Sequence, residues 1–360
     1  QLQSNSSSKQ DYVQKAFDYV RTQIQETSGG LTTTDTVFLG AGGKYQKMCL
    51  VQHLLRKAGI TNYQSLAIDR EQDNGNEPIP VLFYPGSIVV VVPRQEEIPE
   101  RILLDFSSQF AAMGTIDPYV RKQVAFVFDA KTPFFEPLDP VLWDHGLVDR
   151  QLRLTLQEDR SARIEGQYTY GNLYDRQIRE ALTNPEVKQR LTDSQLAGDL
   201  RGIQVNSSDI QNIEDITQFP QLVFQGILPD MAKLSEERIL KISPVLVRAN
   251  ASSFVEDSTR AFRMEFANSP VWDPLEIRYD LSYYLDRGAS IYLPSDQFLL
   301  NEFGYYSLFY EWEGKQVVLR RSFLIPAQKI EPAAYGRFVD FCRTVDQSED
   351  RDILITLPSS

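Results

Sequence analysis

Apolar residues recur at helical spacing in two stretches near the start of the chain and alternate with polar ones over much of the remainder. That change of period predicts an α/β first part and a β-rich second part. Tyr12, Ala16, Tyr19, Val20 and Ile24 share one helical face, and their pattern stops at Gly29-Gly30, a residue type suited to a helix exit. A second helix is expected after Gly40-Ala41-Gly42-Gly43. There Met48, Val51, Leu54, Leu55 and Ala58 make a broad apolar stripe that Gly59 closes. Such a face needs a partner surface. Short β-prone runs at Gln64 to Ile68, Val81 to Tyr84, Ile88 to Val92 and Ile102 to Phe106 predict a sheet to receive it.

The pattern breaks over residues 132–140, where three prolines predict an extended connector without regular structure. A first domain is therefore expected over residues 1–137 and a second over 138–360. In the second, Leu152, Leu154 and Leu156 alternate with polar residues. Glu158-Asp159-Arg160-Ser161 then turns the chain, and Ala162, Ile164 and Gly166 continue a hairpin. Leu275, Ile277, Tyr279 and Leu281 alternate likewise, as does the run from Tyr306 to Trp312 before a turn at Glu313-Gly314-Lys315. This half reads as mainly antiparallel β, sandwich-like, with one helical insertion near 173–191. Neither an internal repeat of fixed period nor a low-complexity tract beyond the first eight residues is evident.

Composition narrows the possibilities. With 360 residues the chain exceeds what one core usually holds, and its 17 Tyr and 20 Phe favour strands. A net charge of −12 would repel a phosphate backbone, and no Lys/Arg cluster interleaved with aromatics offsets it, so nucleic acid is not expected as a partner. No apolar run approaches the ~20 residues a transmembrane helix needs; the longest, Ser87 to Val92, has the length of a buried strand. The Ser-rich start carries neither a basic nor an apolar leader region, which fits a mature or trimmed product. Two cysteines, Cys49 and Cys342, cannot form a disulfide framework and suit either a reducing cytosol or an exported bacterial protein.

Candidate chemistry is sparse. Gly40-Ala41-Gly42-Gly43-Lys44 opens a helix as a phosphate loop would, but two residues rather than four precede the Gly-Lys pair and Tyr45 follows it. A tight turn into a helix is the better account. Cys49 and His53 stand four apart on the second helix, close enough to interact. With Cys342 and His145 far away in sequence they leave a metal site two ligands short, and no cofactor is expected. Cys49 also lies more than a turn inside its helix, away from the N-terminus that would lower a thiol pKa.

The residues do carry a family resemblance. The run from Gly42 to Ile60, ending Leu54-Leu55-Arg56-Lys57-Ala58-Gly59-Ile60, resembles the central helix of bacterial transglutaminase-like domains. The resemblance implies a papain-like α/β fold over about residues 9 to 137. In that family a catalytic Cys begins this helix, a His starts the following apolar strand and an Asp ends the next one. Those positions fall on Lys44, on or near Ser87, and on Asp105 within Leu104-Asp105-Phe106-Ser107. Acyl transfer needs a thiolate and an imidazole, and only the carboxylate is kept. The triad is thus degenerate. Asp105 is expected to cap a strand end or to pair with Lys44. Further on, the run from Ala162 to Arg176 and the stretch Ile330 to Phe338 are similar to the uncharacterised β-rich domain that follows such modules in exported proteins of the Bacteroides lineage. A further β domain commonly precedes the module, which implies that the chain is a fragment.

Two functions follow as expectations. The first is a non-catalytic, transglutaminase-like binding or scaffold protein of the bacterial cell envelope, periplasmic or extracellular. It would grip an unknown protein, peptide or glycan in a groove beside the second helix or on its Tyr- and Trp-bearing strands. The second is a cysteine peptidase or transglutaminase with a shifted nucleophile, Cys49, served by His53.

Overall fold

The structure is a computed structural model that describes residues 5–27, 32–68, 86–115, 124–127, 134–137, 146–255, 259–265, 271–326 and 328–358. It is mixed α+β, largely β-sheet, and divides into two compact units, Gln1–Trp143 and Asp144–Ser360.

The first unit holds helices α1 (Lys9–Gln23), α2 (Thr33–Leu39) and α3 (Lys44–Lys57) and strands β1 (Tyr63–Ile68), β2 (Gly86–Val92), β3 (Ile102–Asp105), β4 (Val124–Val127) and β5 (Phe134–Pro137). The strands run in the order β3-β2-β1-β4-β5, with every pair antiparallel. Ser8 caps α1 through the amide of Asp11, and Gly59, at φ +70°, turns the chain out of α3 as the apolar stripe ends. Helix α2 is too short for a periodic pattern; its signature is a capping box, Thr32 with Asp35. The glycine run explains itself here. Gly40 ends α2 at φ +63°, and a Cβ on Gly42 would sit 2.8 Å from the Thr36 methyl. Val13, Phe17 and Val20 of α1 and Val51 and Leu55 of α3 fill a core with Val90, Val92, Ile102 and Leu104.

The connector departs from expectation. Residues 134–137 pair with β4 as a regular strand, because β5 stands at the sheet edge, where Pro137 need not donate to a further neighbour. Residues 132–133 and 138–140, like the expected strand at Val81 to Tyr84, lie outside the described residues.

The second unit opens with β6 (Gly146–Leu156) and β7 (Ala162–Asn172), followed by α4 (Leu173–Leu182) and α5 (Pro185–Asp199). Strands β8 (Gln204–Gln211), β9 (Gln221–Leu228), β10 (Lys233–Glu236) and β11 (Ile239–Ile242) come next. After them lie β12 (Met264–Glu265), β13 (Val271–Trp272), β14 (Leu275–Asp280), α6 (Ser282–Leu285) and β15 (Ser290–Tyr292). The unit ends with β16 (Gln297–Asn301), β17 (Gly304–Glu313), β18 (Gln316–Ile325), β19 (Lys329–Ile330), α7 (Pro332–Ser348) and β20 (Ile353–Thr356). A nine-stranded sheet runs β16-β17-β18-β13-β6-β7-β9-β8, with β14 following β13 in the same slot between β18 and β6. The β6–β7 hairpin has Leu156 opposite Ala162, and Asp159 closes its turn by accepting from the backbone and hydroxyl of Ser161. Gly314, at φ +66°, makes the two-residue turn between β17 and β18.

Three features differ from the sequence reading. Strands β13 and β14 run parallel to β6, so the sheet is mixed: the chain reaches them through a long excursion rather than a hairpin. The insertion is two helices, broken where Asn184 caps α5 ahead of Pro185, and it extends to Asp199. The layer opposite the large sheet is partly helical. Tyr335, Phe338, Phe341 and Val345 of α7 join Ile242 and Ile355 of the four-stranded sheet β10-β11-β20-β15 in one core beneath it.

Candidate functional site

The positions singled out in the sequence are spread apart in the first unit. Lys44 begins α3 and is exposed, behind an N-cap, Gly43, that makes no side-chain cap bond. Ser87 lies on β2 at a position opposite Ala67; its side chain is outside the described residues. Asp105 stands opposite Val89, fully buried, and accepts from the amide of Ser107 at 2.8 Å and from its hydroxyl, which makes it a strand-end cap. Leu104 and Phe106 point into the α1/α3 core, so strand alternation turns Asp105 toward the other face. No ion pair joins Lys44 to Asp105 among the described residues. Cys49 is half-buried and His53 exposed on α3, without a hydrogen bond between them among the described residues. Cys342 is sealed inside α7, where burial pushes its thiol up to about 12. His145 lies outside the described residues.

A different surface presents itself in the second unit. The inner face of the nine-stranded sheet carries Leu152, Ile164, Phe224, Ile277, Leu308 and Leu319, all buried. Alternation sends the intervening residues outward, and the register lines them up in rows. One row is Phe309, Arg320, Glu276, Gln151, Gln167, Val223 and Asp209, each opposite the next on the neighbouring strand. The adjoining row is Glu311, Val318, Arg278, Arg153, Glu165, Gln225 and Ser207. Six inter-strand steps of ~4.8 Å make each row about 29 Å long. Toward β8 the rows line a trough of ≈ 530 Å³. Toward β16 the face becomes apolar: Phe298 is 59% exposed, Leu300 69%, Phe309 43% and Trp272 37%, with the Phe298 and Tyr305 rings edge to face at 5.6 Å.

A charged lattice forms the trough's edge on the side of the apolar end, with Glu276 and Arg278 belonging to both. Arg278 donates to Glu276 and Glu313 at 2.7 Å each, and Arg320 donates to Glu276 at 3.0 Å, to Glu313 at 3.2 Å and to Glu311 at 2.5 Å. Hydrogen bonds from Arg278 hold Glu313 below the usual carboxylate range. These exposed pairs add little stability. Their effect is to fix planar hydrogen-bonding groups at sheet spacing around Val318, which is fully buried.

Beneath this face a buried charge network locks the strands in register. Arg321, fully buried on β18, donates to Asp273 at 2.8 Å, to Glu349 at 3.0 Å and to the Val247 carbonyl at 2.6 Å. Asp273 also accepts from Arg150 of β6, whose guanidinium reaches Asp199 of α5 at 3.3 Å and covers the Tyr168 ring. Burial of cations on this scale requires such partners. Sequence reading missed both faces of this arrangement. The available signal was the outward half of the alternation it used for the core: Glu276 and Arg278 around Ile277, and Arg320 beside Leu319.

Residues 237–355 match DUF3858, a domain of unknown function with a solved structure. Among curated proteins none matches the sequence. A crystal structure of a candidate protease from Parabacteroides distasonis ATCC 8503 superposes with a TM-score of 0.49 at 10% identity, over 99% of this chain and 54% of that one. The chain thus spans about half the length of that protein.

Proposed function

We propose that the chain is a non-catalytic, transglutaminase-like binding protein of the bacterial cell envelope that lays an extended peptide or glycan across the outer face of its large sheet. The observation that carries the reading is the pair of cross-strand rows, running from Phe309 to Asp209 and from Glu311 to Ser207. Amides, carboxylates and guanidinium groups there alternate donors and acceptors, and the aromatic end offers rings for stacking. A length of about 29 Å accommodates roughly eight extended peptide residues at 3.3–3.6 Å each. The non-catalytic part of the reading is supported by the exposed Lys44 where a nucleophile would begin α3 and by Asp105 engaged with Ser107. The transglutaminase-like and envelope parts rest on the likeness of the Leu54 to Ile60 and Ala162 to Arg176 stretches.

The test is a titration of isotope-labelled chain with linear oligosaccharides and unstructured peptides, followed by amide shifts. Perturbations should follow β14, β6, β7 and β9 along the rows, and Gln151→Ala with Phe309→Ala should weaken binding at least tenfold. Shifts confined to the first unit, or an affinity unchanged by both substitutions, would remove the sheet face as the site. Rapid turnover of a peptide that stops on alkylation of Cys49 would overturn the non-catalytic reading.

A further inference from the structure

A second cavity, of ≈ 720 Å³, lies beyond the C-terminus of α5 against the β10–β11 hairpin, away from the rows on the sheet. Its floor is apolar: Leu200, Met231 and Val245 are buried core residues whose sides form the wall. Its rim is charged. Lys233 and Lys241 stand directly opposite one another across the hairpin, an arrangement that like charges disfavour. Arg201 joins them on the same cavity, and among the described residues none of these three cations makes an ion pair. In a chain of net charge −12, three exposed cations outside any ion pair gather around this one hollow. Arg248, also in the lining, is already paired with Asp350 at 2.6 Å.

The rim also limits the ligand. Asp230 and Asp352 line the same cavity, so once Arg248 is matched by Asp350, which lies outside the lining, the other three cations outnumber the cavity's two carboxylates by a single charge. A polyanion would be over-charged for this site, and a neutral molecule would leave the lysine pair uncompensated. We infer that the cavity binds a monoanionic amphiphile, a carboxylate with an aliphatic body: the head bridges Lys233, Lys241 and Arg201, and the chain lies on Leu200, Met231 and Val245. The volume falls in the range of roughly 300–1,000 Å³ typical of small-molecule pockets. Bridging by one head group would relieve the repulsion between the lysines, so ligand and hairpin stabilise each other.

Decanoate is a suitable probe, titrated calorimetrically below its micellar concentration against the full chain, with decanol and acetate as the uncharged and tail-less controls. Decanoate should bind at least tenfold more tightly than either control, and more weakly as salt is raised. Lys233→Gln with Lys241→Gln should weaken decanoate at least tenfold while leaving the thermal midpoint of the free protein unchanged or higher, since it removes a like-charge pair. Phe298→Ala, on the exposed apolar end of the large sheet, should leave decanoate binding intact. Equal affinity for decanol and decanoate, an unaltered affinity in the lysine double variant, loss of binding in Phe298→Ala, or no decanoate binding at all would each overturn the assignment.

Discussion

Replacing Arg321 by Met removes a cation that is wholly buried and leaves its partners behind. Among the described residues Glu349, itself fully buried, would keep the Ala249 amide at 2.9 Å and the Tyr306 hydroxyl at 3.5 Å. Asp273 would keep Arg150. Breaking a buried pair from one side costs about 3–5 kcal/mol, because the remaining charge sits in a medium that solvates it poorly. In a unit of this size each kcal/mol moves the midpoint by about 2–4 °C, so a drop of about 6–20 °C is expected. Arg321→Met, Glu349→Leu and the double variant form a cycle that differential scanning calorimetry at neutral pH can close. The double variant should lose less than the sum of the singles, by about 1–3 kcal/mol, since it strands no charge between the two sites. Losses that add to within about 0.5 kcal/mol, or an Arg321→Met midpoint equal to that of the parent, would refute the network as the element holding β18 to α7.

Lys47, on α3, is 4% exposed and among the described residues pairs with Glu26 at 3.8 Å; burial lowers its pKa from 10.5. The unfolded chain then holds the proton to higher pH than the folded one, and stability from this group rises with pH up to 10.5. Lys47→Met should raise the midpoint at pH 7 and flatten the rise toward pH 10, as thermal melts against pH would record; a destabilised variant would count against the reasoning. A Cβ at Gly166 would fall on the Phe224 ring that covers it, so Gly166→Ala should cost about 1–3 kcal/mol in urea unfolding, and a neutral result would mean the ring can step aside. Iodoacetamide at pH 8 should leave Cys342 unmodified in the native protein, because burial keeps its thiol protonated and covered. Labelling of Cys49, followed by mass spectrometry, should proceed at the same rate in His53→Ala as in the parent; a marked slowing would reveal a thiolate–imidazole pair.

The elements whose residues are locally self-consistent were legible in the sequence. The stripe from Met48 to Ala58 closed by Gly59 is α3, and Leu152 to Leu156 turning at Asp159 into Ala162 is the β6–β7 hairpin. Periodicity and turn chemistry act over a few residues, and both ends of each motif lie close along the chain. Asp105 could likewise be read as a strand-end cap, because its partner Ser107 is two residues away. What the sequence left open depends on partners far apart in it. That β14 lies parallel to β6, that Asp273 bridges Arg150 and Arg321, and that Lys233 faces Lys241 beside Arg201 are all consequences of sheet register and crossover. A strand pattern says which residues share a face but not which strand stands beside it. The tertiary structure alone placed Phe309 and Asp209 at two ends of one polar row, because that row runs across six strand pairings rather than along the chain.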